Sequence, residues 1–454
     1  MGIAGLDFRF GWRWLLPVAG GERIRLYGFS NDEELFWRGA FPTLDWSADG
    51  GRAEVLVVDA AHCTAQAMPS LRGAIPAALI VCMLLSRSQV MHWRTILHES
   101  FPQVREYGLL PSGTPRVVVP LSLTRHATTA LSLHRPGRWI ARLGLRLARA
   151  LACAGSFELL RGRVLLIATR SPDFIPEGAV RADVPKRIAH PIKDYALYLG
   201  TPDDNRKTVV LPLGDSPPDI ILKVAAIPTA RHSLNNEAAA LLALSKSSLS
   251  AFVPRLHGTV STDNAMSLYQ EYRPRRQTGH RKMDAAVVAF LGQLTLLGHN
   301  LVPLSSLLVS LPVGSNASLP AEVEIACHAL HRRLRQLGES GAVVWVHRTH
   351  GDFAPWNCTW TDQGLFIFDW EESQEQDLAL GDAFYFAIAP ALLVHRKASR
   401  KKTLEAALSL ANSVVEASGA RLDSRIYLAL WLLRQVGQAD LYGELIVLLE
   451  RSWR

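Results

Sequence analysis

The sequence predicts a mixed α/β region over residues 1–185, followed by a two-lobed α+β fold that is strand-rich over 186–272 and helix-rich over 273–454. Three observations predict it. The segment SPDFIPEGAVRADVPKRIAHPIK (171–193) carries Pro172, Pro176, Pro185 and Pro191, which interrupt any helix and mark a linker or boundary. Short apolar runs come first after that break and long helical patterns come later, which is the order of an α+β unit. The chain has 454 residues, 48% hydrophobic and 20% charged, enough for more than one core and unlike a disordered or collagenous chain.

In the first region, AEVLVVDAA (53–61) and GRVLLIATR (162–170) read as buried strands, with an apolar stretch at 74–85 and an extended RVVVPLSL (116–123) between them. Asp59 ends the first strand and is read as a solvent-exposed strand-end residue in preference to a ligand-binding carboxylate. No G-x-G-x-x-G accompanies these strands, so no nucleotide site is read here. Residues 138–153, RWIARLGLRLARALAC, form a helical segment with Arg138, Arg142, Arg146 and Arg149 at steps of four, four and three. This places the arginines on one face opposite Trp139, Leu143, Leu147 and Leu151, and a solvated basic stripe is preferred to peripheral membrane contact.

The net charge is +8, and residues 1–185 supply most of it, with no lysine and 21 Arg against 15 Asp and Glu. That arginine is diffuse and forms no dense run in this region, so nucleic acid is not expected as a partner. Five scattered cysteines (Cys63, Cys82, Cys153, Cys327 and Cys358) form no C-x-x-C pair and argue against a disulfide framework or a cysteine zinc site. Asp7 and Arg9 interrupt what would be a signal peptide, and the longest apolar run, Gly73 to Leu85, falls short of the ~20 residues that span a bilayer. A cytoplasmic location is the expectation.

After the break, DYALYLG (194–200), KTVVLPL (207–213) and DIILKVAA (219–226) read as three strands. A helix follows over 233–247, a strand over 266–273, helices over 283–302 and 320–339, a β section over 343–369, and helices over about 375–395, 403–418 and 424–451.

The chemistry concentrates in VHRTHGDFAPWNCTWTDQGLFIFDWEE (346–372). His350-Gly351-Asp352 precedes Asn357 on a loop, a hairpin turning at Gly364 intervenes, and Asp369 ends its second strand. One Asp and one Asn on a loop with a second Asp at a strand end can converge. Phosphoryl transfer needs such a set: one carboxylate to orient and deprotonate the attacking hydroxyl, and an Asn and a second carboxylate to hold Mg2+. The pair His347-x-x-His350 lacks a third ligand pattern and is not read as a metal site.

The motif H-G-D-x-x-x-x-N followed by D-W-E resembles the aminoglycoside phosphotransferase and choline kinase family, relatives of protein kinases, over residues 194–454. The resemblance implies a two-lobed protein-kinase-like phosphotransferase fold. It implies Asp352 as catalytic base, His350 as support of the loop, Asn357 and Asp369 as metal ligands, and Asp382 as a brace of the catalytic loop. It implies that Lys223, unusual in mid-strand, reaches the phosphates of ATP and pairs with Glu237, fourteen residues on. Backbone groups near Glu271 and Tyr272 would meet adenine. The phosphate-covering loop GTPDDNRK (200–207) departs from the pattern, with Gly200 alone to permit close approach and with Asp203 and Asp204 of the wrong sign.

The activity these residues imply is transfer of the γ-phosphoryl group of ATP to a hydroxyl of a small molecule, of aminoglycoside, sugar or amino-alcohol type. Glu371, Glu372, Glu375 and Asp377 offer a carboxylate cluster to a cationic acceptor. Two alternatives stand beside this: a catalytically weak kinase-like binding module, or a fusion in which residues 1–185 carry a second activity.

Overall fold

The computed structural model describes residues 6–453 apart from 7–8, 19–20, 47–52, 112–114, 134–138, 156–161, 172–191, 201–202, 204, 263–264, 275–284 and 312–318, and apart from the side chains of 132–133 and 139–143. The chain divides into two compact units, Met1–Leu234 with His257–Tyr272 and Asn235–Leu256 with Arg273–Arg454.

The first unit is built on one eleven-stranded sheet. Its strands in chain order are β1 (Ile24–Tyr27), β2 (Val55–Asp59), β3 (Ile80–Ser86), β4 (Gln103–Leu110), β5 (Val117–Pro120), β6 (Arg163–Thr169), β7 (Asp194–Tyr198), β8 (Thr208–Leu213), β9 (Ile220–Ala225), β10 (Leu256–Ser261) and β11 (Met266–Glu271). They lie side by side in the order β1-β2-β3-β6-β4-β5-β7-β8-β9-β11-β10. The first three are parallel, and β2 is buried at every residue, which is why VLVVD reads as an unbroken apolar run rather than an alternating one. Helix Asn31–Ala40 follows β1 and starts with a capping box between Ser30 and Glu33.

The sheet continues from the first region into the second. Val117 and Val118 of β5 pair antiparallel with Tyr198 and Leu197 of β7. The boundary expected near residue 185 therefore does not separate two compact units. Prolines stop a helix, but they do not prevent the strands on either side from pairing, and β7 is buried over Asp194–Leu197, so it needs neighbours on both sides. Buried Asp194 strengthens this junction by accepting hydrogen bonds from the Tyr107 hydroxyl (2.7 Å), the Ser122 hydroxyl (2.9 Å) and the Tyr195 amide (2.9 Å).

Two side-chain expectations are corrected here. Asp59 is fully buried, not solvent-exposed. Its carboxylate meets His62 at 3.0 Å and both Arg9 and Arg163 at 3.3 Å. Helix Trp139–Cys153 exists as expected, but it packs through Leu145, Ala148, Leu151 and Ala152 while Leu147 is 61% exposed. The buried face is thus rotated from the one read from the arginine stripe, because the small Ala148 and Ala152 admit the close approach of the neighbouring helix Thr124–Leu133. Arg138 lies outside the described residues.

The second unit is mostly helical. Helices Ala285–Leu296, Ala321–Glu339, Gly381–Ala389, Arg400–Ser418, Ser424–Arg434 and Ala439–Ser452 enclose one apolar core. A three-stranded sheet, β12 (Asn300–Pro303), β13 (Val343–Thr349) and β16 (Gln374–Leu378), and a hairpin, β14 (Cys358–Thr361) with β15 (Gly364–Ile367), carry the motif. The helix expected from 375 begins only at Gly381, because Gln374–Leu378 pairs with β13. Among the described residues, no helix is long and apolar enough to cross a membrane.

Candidate functional site

Central strand β13 delivers the chain directly into His350-Gly351-Asp352, and the loop is fixed from several directions. The buried carboxylate of Asp382, in the first turn of Gly381–Ala389, accepts the His350 amide at 2.7 Å and the Gly351 amide at 3.0 Å. Burial pushes the Asp382 carboxyl up to about 7, against the pull of those two amides, and the charges of Asp377 and Asp352 add to the rise. The brace expected at Asp382 thus has the required geometry.

His350 is fully buried. Its Nδ1 accepts the Asp352 amide at 3.3 Å, so the ring proton sits on Nε2, which donates to the Phe368 carbonyl at 3.0 Å. Trp370 and Phe353 pack against the ring at 4.6 and 5.8 Å. With both nitrogens engaged, His350 ties the loop to the end of the hairpin. Gly351 has φ +83°, and a Cβ there would stand 2.2 Å from the Glu372 carbonyl oxygen, so glycine is required.

Asp352 and Asn357 are brought together. The Asn357 amide nitrogen donates to Asp352 Oδ2 at 2.8 Å and to the Asp352 carbonyl at 2.9 Å. The Asn357 carbonyl in turn accepts the Phe368 amide at 3.1 Å, which seats the residue before Asp369 against the loop. Asp369 itself adopts a left-handed conformation, φ 72° and ψ 54°. A non-glycine residue held there costs free energy that the surroundings must supply. One carboxylate oxygen each from Asp369, Glu371 and fully buried Glu237 lie within 4.8 Å of one another. Asn236 anchors this edge by donating to the Glu371 and Ser373 carbonyls at 2.6 and 2.8 Å.

The other expected residues belong to the first unit. Lys223 is buried in β9, in register with Val209 of β8 and Leu268 of β11. Glu271 ends β11 opposite Ile220, and the Tyr272 amide donates to the Asp219 carbonyl at 2.6 Å. Burial pushes the Tyr272 hydroxyl up to about 12. Gly200 has φ +68°, and its carbonyl accepts Arg116 at 2.7 Å. Part of the loop 200–207, Asp204 included, lies outside the described residues.

Two residues acquire contacts that the sequence did not assign. Tyr385 interacts through its side chain with Asp352, and burial followed by that contact drives its hydroxyl well above the usual range. Glu371 joins Asp369, whereas its expected companions are committed elsewhere, Glu375 to Arg348 at 2.8 Å and Asp377 to Arg434. The acidic cluster is therefore not a single acceptor surface. Buried His347 hydrogen-bonds through Nδ1 to the Arg348 carbonyl, and burial lowers it to about 4, so it is neutral. Burial likewise raises the Cys358 thiol, which leaves it unreactive.

No protein-family profile and no curated protein matches the sequence. Among solved structures, a thermostable mutant of aminoglycoside phosphotransferase APH(4)-Ia is similar at 13% identity and a TM-score of 0.40, covering 58% of this chain and 95% of that one. Amicoumacin kinase hAmiN is similar at 12% identity and a TM-score of 0.36, covering 56% and 88%. Aminoglycoside phosphotransferase APH(3'')-Id from Streptomyces rimosus is similar at 14% identity and a TM-score of 0.32, covering 53% and 92%. These neighbours are small-molecule kinases. Likenesses this distant carry no weight for the chemistry, which rests on the loop itself.

Proposed function

We propose that the chain is an ATP- and Mg2+-dependent phosphotransferase that moves a γ-phosphoryl group to a hydroxyl of a small molecule of aminoglycoside, sugar or amino-alcohol type. The observation that carries the reading is the Asn357 amide holding the Asp352 carboxylate on a loop clamped by Asp382. A carboxylate so fixed suits a base that receives a proton in one defined direction. The acceptor oxygen bonds to phosphorus as the bond to the β-phosphate oxygen breaks, and its proton passes to Asp352. Tyr385 steadies the same carboxylate.

The donor set fits Mg2+. Both Asn357 hydrogen bonds use its amide nitrogen, which leaves Oδ1 for a cation, and Asp369 and Glu371 add hard oxygens. Bound there, the ion would neutralise charge on the phosphates. In this reading Lys223 meets the phosphates and pairs with Glu237, while the backbone near Glu271 and Tyr272 meets adenine.

The test is ADP release by the full chain across a panel of hydroxyl acceptors, with ATP and Mg2+. Acceptor-dependent release that disappears in Asp352→Ala, with the ATP-induced thermal shift retained, is the expected result. Absence of any Mg2+-dependent stabilisation by ATP would favour a binding module instead.

A further inference from the structure

Residues 393–402, LVHRKASRKK, play no part in the phosphotransfer reading. Leu393 and Val394 end the π-helical turn Pro390–Val394 and are 44% and 58% exposed. His395, Arg396 and Lys397 follow, all exposed. Ser399 then caps helix Arg400–Ser418 by accepting the Lys402 amide at 3.5 Å.

The first turn of that helix holds Arg400, Lys401 and Lys402 and no acid. A helix N-terminus carries positive partial charge, so acids are favoured there and three cations are of the wrong sign. An external anion would reverse that penalty. Arg396, Lys397, Arg400 and Lys401 also line an open cavity of about 300 Å3, together with Glu444 and Leu448. Arg400 is partly committed, to the Ala391 carbonyl at 3.4 Å and to Glu444 at 3.8 Å. No carboxylate among the described residues pairs with Arg396, Lys397, Lys401 or Lys402. The segment thus joins four uncompensated cations to two exposed aliphatic side chains within ten residues. A soluble phosphate or a nucleic acid would use the cations alone, whereas a lipid surface uses both.

We propose that residues 393–402 dock on an anionic membrane surface, with Leu393 and Val394 entering the interface and Arg396, Lys397, Lys401 and Lys402 meeting lipid phosphates. The docking is peripheral and independent of the phosphotransfer chemistry.

Co-sedimentation of the full chain with vesicles tests it. Binding is expected to phosphatidylcholine vesicles containing about 30% phosphatidylglycerol, with little to phosphatidylcholine alone. Raising the salt from about 0.1 M to about 0.5 M should weaken it roughly tenfold. The combined variant Lys397→Glu, Lys401→Glu and Lys402→Glu should lose about 100-fold or more in partitioning, and Leu393→Ser with Val394→Ser about tenfold. Both should stay folded and keep acceptor-dependent ADP release, the charge-reversed variant with an unfolding midpoint at or above the wild-type value because acids suit a helix N-terminus. Equal binding to uncharged vesicles, or undiminished binding by the folded charge-reversed protein, would overturn the proposal. So would binding of duplex nucleic acid or inorganic phosphate, lost on charge reversal, without any binding of vesicles.

Discussion

The side-chain amide of Asn357 grips Asp352 twice, at Oδ2 (2.8 Å) and at the backbone carbonyl (2.9 Å). One residue thus sets the direction of the proposed base and, through its remaining oxygen, can face a cation. Asn357→Ala should lower kcat by about 10²–10³, since both positioning and charge stabilisation are lost. It should also shift the Mg2+ titration of activity to higher concentration, a change that simple loosening of the loop would not produce. Unchanged Mg2+ dependence would remove Asn357 from the cation site.

Asp382 is a buried carboxyl raised from 3.8 to about 7 while it accepts two backbone amides of the loop. Its folded value lies above its unfolded one. Between those values the unfolded chain releases the proton and the native protein retains it. Stability contributed by Asp382 is therefore present below about pH 4 and is lost as pH rises towards about 7, at up to roughly 1.4 kcal/mol per pH unit. Asp382→Asn keeps a polar group against the loop and removes this proton. Denaturant unfolding of the two proteins from pH 4 to 7 should show the difference between them narrowing or reversing with rising pH. Parallel curves would mean that Asp382 is ionised throughout.

Gly351 combines φ +83° with a backbone carbonyl where a Cβ would stand, 2.2 Å away. Gly351→Ala should cost about 2–4 kcal/mol from the left-handed conformation and the displacement of Glu372. Because Glu372 adjoins Glu371, activity should fall further than stability alone explains. A thermal melt paired with ADP release at a temperature where the variant is folded separates the two effects.

The site was legible because its residues are nearly contiguous. His350, Asp352, Asn357 and Asp369 span twenty positions, and the Asn357–Asp352 and His350–Phe368 hydrogen bonds form within that span. Lys223 stood out because a strand flanked by Ile220–Leu222 and Val224 leaves a lysine nowhere to go but a charged partner. What could not be read depends on distant pairings. Nothing local to Val117 or Leu197 says that they share a ladder across the proline-rich segment, and nothing in the arginine stripe of 138–153 says that Ala148 rather than Leu147 faces the core. The basic run at 395–402 was present in the sequence, but its meaning comes from the exposure of Leu393 and Val394 beside it.

The continuity of the large sheet makes the sharpest prediction about domain structure. Asp194 accepts from Tyr107, Ser122 and the Tyr195 amide, and Arg105 stands 3.6 Å away. Asp194→Ala would take the acceptor from the buried Tyr107 hydroxyl and Tyr195 amide, at about 1–3 kcal/mol each, and from the Ser122 hydroxyl, which water can serve instead. Tyr107→Phe removes one hydroxyl and should cost about 1–2 kcal/mol. A fragment beginning at residue 192 would lose β5 altogether and expose the buried edge of β7, an open invitation to aggregation. Expressed alone, it should be insoluble or should lack the ATP-induced thermal shift of the full chain, and the full chain should unfold the strands on both sides of residue 185 in one transition. A soluble fragment that binds ATP as the full chain does would instead make the first region a separable domain, with the β5–β7 pairing a contact that the phosphotransferase does not require.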